Sequence, residues 1–161
     1  MDDFEDQGIV NTVWAFAKSK LRDVPLMNAI SGSLQMRLRR FNARFLCNAS
    51  WAFATLKVYS VPLMDAIQEE CLKKIRSFNA QDLANTFWAF ATLQVDRQPD
   101  VLEVMMAHAC NVRGMTPQGV ANRLWAAAAL ALQREELMKS LGSQVVRAAT
   151  KLKPQELSNA A

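Results

Sequence analysis

The chain is short of the residues that bend, staple or catalyse. Five Gly and five Pro in 161 residues argue against a turn-rich β protein. Three cysteines, Cys47, Cys71 and Cys110, form an odd set with no CxxC pair and lie in apolar runs. That pattern predicts reduced core thiols rather than a disulfide framework. The one histidine, His108, sits in the apolar stretch "MMAHAC", where a packed side chain is expected. Without a second His, a Cys pair or a glycine-rich phosphate loop, zinc, nucleophilic and P-loop chemistry all lack parts. No metal, cofactor or small-molecule substrate is therefore expected, and the chain does not read as an enzyme. No uninterrupted apolar run approaches about 18 residues, so no membrane insertion is expected. The first residues, "MDDFEDQ", are acidic, the opposite of a targeting peptide.

Apolar residues make up 51% of the chain, enough for a packed core, and the many Ala, Leu and Met favour helix. The net charge of +4 permits a polyanionic partner without requiring one.

Self-similarity organises the rest. The four tryptophans, Trp14, Trp51, Trp88 and Trp125, are spaced by 37 residues. An Asn stands three residues before each (Asn11, Asn48, Asn85, Asn122) and an Ala follows each. Gln7, Arg44, Gln81 and Gln118 precede the Asn column, and Pro25, Pro62 and Pro99 follow the first three Trp. The C-terminal "LKPQELSNAA" aligns with "FNAQDLANTF", so the chain is expected to be part of a longer array. The expected repeats are 4–40, 41–77, 78–114 and 115–151, with a truncated fifth at 152–161.

Each unit reads as two helices. In the third copy Leu83, Ala84, Phe87, Trp88 and Ala91 share one face, with Asn79 as N-cap. Proline opens helices at Thr116-Pro117, at Lys153-Pro154 and along the Pro25 column. In the second copy Leu63, Met64, Ile67, Cys71, Leu72 and Ile75 give the second helix its apolar face, and Met27, Met105, Met106 and Met138 also read as packing. One helix pair cannot bury two apolar faces alone, whereas stacked copies bury them against each other. The expected fold is all-α: an α-solenoid of antiparallel helix pairs with a 37-residue repeat, the tryptophans supplying buried surface at its centre.

The stretches "AQDLANTFWAFATL" (80–93), "PQGVANRLWAAAAL" (117–130) and "PQELSNAA" (154–161) resemble the octotricopeptide and heptatricopeptide repeats, a family of helical-pair solenoids of chloroplasts and mitochondria. The resemblance implies an organellar protein that binds single-stranded or ribosomal RNA and serves its processing, stability, translation or ribosome assembly. It brings no "PPPEW" segment and no RAP domain, so it implies no nuclease activity.

Charge placement points the same way independently. The ends of the second helices carry Arg37, Arg39, Arg40, Lys73, Lys74, Arg76, Arg113, Arg147 and Lys151 and no acidic residue. Arg39, Arg76 and Arg113 recur at the repeat spacing and predict a ladder along one edge, suited to a phosphate backbone. Cations there also complement the helix dipole. Base contact is assigned to positions that vary between copies: Thr12, Ala49, Thr86 and Arg123, and beside them Gly8, Phe45, Asp82 and Gly119. The invariant Asn column could meet a base edge but not choose a base; a buried ladder pairing backbone groups between units is the expected role. The rival class is a scaffold that holds proteins of a large organellar assembly, since solenoid surfaces serve both uses.

Overall fold

The computed structural model describes residues 2–112, 116–132 and 135–148, and these are helical with no strand among them. Among the described residues eight α-helices follow in order: α1 Asp2–Lys18, α2 Val24–Arg37, α3 Ala43–Thr55, α4 Val61–Lys73, α5 Ala80–Thr92, α6 Pro99–Asn111, α7 Pro117–Ala129 and α8 Glu135–Ala148. Short 3-10 turns, Leu38–Arg40 and Ile75–Ser77, follow α2 and α4. The expected fifth-copy segment 152–161, with Pro154, lies outside the described residues.

Periodic caps start the helices. The side-chain oxygens of Asn42, Asn79 and Thr116 accept the backbone N–H three residues on, at 2.9, 2.8 and 3.1 Å. Pro25 and Pro62 stand second in α2 and α4, and Pro99 and Pro117 stand first in α6 and α7, where a missing N–H costs nothing. Each odd helix ends in the same way. Lys20, Lys57, Gln94 and Ala131 adopt positive φ, and the next residue donates its N–H back to the carbonyl five positions earlier.

α1, α3, α5 and α7 pack side by side in one layer, and α2, α4, α6 and α8 follow one another more loosely in a second. Buried Ala52, Ala89 and Ala126 let the odd helices approach closely. Between the layers lie Leu46, Phe53, Leu83, Phe87 and Phe90 from the odd helices and Leu63, Met64, Ile67, Leu102, Met105 and Met106 from the even ones. Burying each of these side chains contributes about 2 kcal/mol. Cys47 and Cys71 are buried free thiols, and burial, aided by the Asp82 charge, pushes Cys47 up to about 12. Leu72 and Ile75 are half-buried, while Met138 is exposed, contrary to its expected place in the packing.

The tryptophans are not the centre of the stack. Trp14 is 41% exposed and Trp125 37%, and Trp51 and Trp88 are only half-buried. Helical geometry explains the correction. At about 100° per residue, the Trp, the Asn three before it and the Gln or Arg seven before it fall within about 60° of arc. That arc faces away from the phenylalanines. The core is filled instead by phenylalanines, among them the Phe two positions after the Trp, Phe53 and Phe90, and by Phe87.

Candidate nucleic-acid interface

The 3-10 turns set the basic edge. Leu38 is buried and anchors the first turn, leaving Arg39 and Arg40 exposed, and Arg76 is exposed in the second turn. No ion pair holds Arg39 or Arg76 among the described residues. Arg40 lines a cavity of about 290 Å³ with Asp6, Gln7, Asn42 and Phe45. Arg113, Lys151 and the side chain of Arg147 lie outside the described residues, so the third rung of the ladder does too.

The lysines and Arg37 behave differently. The Lys74 ammonium donates to the carbonyl oxygens of Leu38, Arg39 and Phe41 at 3.3, 2.8 and 2.8 Å. Glu70 stands 3.2 Å from the same nitrogen and 2.8 Å from Lys73 Nζ. Lys74 therefore ties one repeat to the turn of the preceding one, and its donors are used there rather than offered to a phosphate. Hydrogen bonding by Lys73 first, then by Lys74, holds the Glu70 carboxyl below its ordinary value against burial. Arg37 pairs with buried Asp6 at 2.9 Å.

Three of the four varying positions are closed to a ligand. Ala49, Thr86 and Arg123 are fully buried in the seam between repeats. The Thr86 hydroxyl donates to the Asp82 carbonyl at 2.7 Å. Arg123 donates to the Ala109 carbonyl at 2.6 Å and to the Gln144 side chain, and burial lowers its affinity for its proton. Thr12 alone is exposed, its hydroxyl bonded to the Gly8 carbonyl at 2.8 Å. In the neighbouring column Asp82 and Gly119 are buried and Phe45 half-buried. Asp82 pairs with Arg44 at 3.2 Å; burial raises its pKa, and Arg44 and the Asn79 backbone oppose the rise. Asp82 meets Arg44 of the preceding odd helix and Arg123 reaches α6 and α8, so variation at these buried positions records how neighbouring helices fit, not what they bind.

The invariant column is the accessible one. Asn11 is exposed and Asn48, Asn85 and Asn122 are half-buried, so no buried Asn ladder runs between the units. The Asn85 amide oxygen accepts from Gln81 Nε2 at 2.9 Å, a bond along the helix surface. Beside these amides stand the indoles. Lys18 Nζ lies 5.3 Å from the Trp14 ring centroid and 5.6 Å from that of Trp51, over both rings. The odd layer thus presents a face of amides and indoles, with Lys18, Lys20 and Lys57 exposed at one end and Arg39, Arg40 and Arg76 at the other. The register of Trp with Asn and Gln was the signal for this face; assigning Trp to the core by residue type concealed it.

Nothing among the described residues suggests a metal or a membrane span. No three His, Cys, Asp or Glu side chains converge, and no helix is long and apolar enough to cross a bilayer. A sequence model of the family described as RNA-editing substrate-binding complex 6 protein matches residues 36–160. No curated protein matches the chain.

Proposed function

The chain belongs to the RNA-editing substrate-binding complex 6 family, and from that premise we propose that it is a single-stranded RNA-binding subunit of a complex of that kind, working in an organelle. The observation that carries this reading is the pair Arg39 and Arg76, exposed at equivalent places on one edge of the stack and free of carboxylate partners among the described residues. Arginines at a regular step along a rigid edge match a phosphate backbone followed along its length. The octotricopeptide-like and heptatricopeptide-like pattern supports the same assignment and the organellar setting, mitochondrion or chloroplast. Its processing role would be to hold RNA in place while other subunits act on it.

Fluorescence anisotropy with a labelled single-stranded RNA, across a salt series, tests the proposal. Affinity should fall as salt rises, and Arg39→Ala with Arg76→Ala should flatten the log–log slope by about 0.7 per lost contact. No binding at low salt by the folded protein would reject RNA binding in favour of a scaffold that holds only proteins.

A further inference from the structure

The odd-layer face is a repeated site, and its chemistry differs from that of the basic edge. Each copy offers one partly exposed indole with one accessible Asn amide three residues before it, on the same stripe of its helix. Along the stripe no position carries a carboxylate: the residue seven before the Trp is Gln or Arg, and the one four after it is Lys18, Thr55, Thr92 or Ala129. A site repeated with identical side chains suits a ligand whose own units repeat. Flat units with a π-face and a donor–acceptor edge, joined by an anionic backbone, fit an indole, an amide and a basic border together. A nucleic acid has all three.

The first gap shows the geometry in use. Lys18 places its ammonium over the Trp14 and Trp51 rings at once, so the two indoles turn faces toward a common space and lie within about 11 Å of each other. In the next gaps Lys18 is replaced by Thr55 and Thr92, which are shorter and uncharged. Among the described residues no cation stands over Trp88 or Trp125. The ring faces that an intramolecular cation covers in the first gap are left for another occupant in the second and third.

We propose that Trp51, Trp88 and Trp125 are stacking platforms for successive bases of a single-stranded RNA, with Asn48, Asn85 and Asn122 hydrogen-bonding to the base edges. The inference rests on the RNA-binding reading and adds the site at which bases, rather than phosphates, are held. The same amide and indole recur in every copy, so the platform accepts any base, and it binds uridine and adenosine homopolymers within a few-fold of each other. An acidic protein segment is the other class that could lie against this face.

The chain's four tryptophans all lie in this column and three of them are the proposed platforms, so intrinsic indole emission reports on this face. Titrating the full chain with a uridine oligomer should quench that emission in step with anisotropy. An abasic oligomer of equal length should bind more weakly and leave emission nearly unchanged. Trp51→Leu with Trp88→Leu should weaken RNA binding about tenfold or more with the salt slope unaltered, while Trp51→Phe with Trp88→Phe retains most of the affinity. Circular dichroism confirms that both variants remain helical. RNA that binds by anisotropy without quenching beyond the abasic control would overturn the stacking platform and leave RNA binding by the basic edge intact. Failure of both oligomers to bind would overturn both, and would turn attention to a protein occupant.

Discussion

The ammonium of Lys74 lies within hydrogen-bonding distance of three carbonyl oxygens of the preceding repeat, and the carboxylate of Glu70 balances its charge. Glu70 is 7% exposed, so losing its charge would leave both lysines without a close counterion. Its carboxyl is held below the ordinary 4.5, chiefly by Lys73. A depressed carboxyl stabilises the fold fully above the unfolded-state value, and that stability is lost as pH falls through the folded-state value. Glu70→Gln should therefore cost about 1–2 kcal/mol at pH 7 and much less below the folded-state value, as read by urea unfolding followed by circular dichroism. An equal cost at both pH values would show that the charge is immaterial. Sequence could not separate Lys74 from Arg76, because both stand in one basic cluster and only the fold shows which is enclosed. Arg123 misled for the same reason. A charged residue at a varying position reads as a contact to a ligand until its partners, Ala109 and Gln144, are seen.

Among elements, the helix starts were legible and the ends were not. Asn42, Asn79 and Thr116 are side chains whose chemistry marks a helix beginning. The matching terminations carry Lys20, Lys57, Gln94 and Ala131 at φ of 54, 51, 53 and 51°, where glycine is the usual marker. A left-handed conformation costs a side-chain-bearing residue about 1–2 kcal/mol, partly offset because glycine loses more freedom on folding. Gln94 is exposed and neutral, so Gln94→Gly should stabilise the protein by about 0.5–1 kcal/mol. That gain corresponds to a thermal midpoint raised by about 1–4 °C. A lowered midpoint would mean that the Gln94 side chain makes a contribution outweighing its backbone strain.

For the whole molecule, the 37-residue period announced a stacked helical array directly, because four tryptophans at one spacing leave little other reading. Which surface the array turns outward was harder to see. Residue type placed Trp in the core, whereas its helical register with Asn and Gln places it on the open face of the odd layer. The basic ladder was visible in sequence as far as Arg39 and Arg76, though Lys74 of the same cluster ties one repeat to the preceding one and Lys73 and Arg37 are paired with carboxylates. Under the proposed function RNA lies across the odd layer, between the lysines at one end and the arginines at the other. Photocrosslinking with 4-thiouridine-substituted single-stranded RNA, with adducts mapped by mass spectrometry, tests that claim most directly. Adducts should concentrate on the Asn–Trp stripes of α3 and α5 and on the turns bearing Arg39 and Arg76. Adducts confined to the outward surfaces of α4 and α6, or none at all from folded protein, would contradict it.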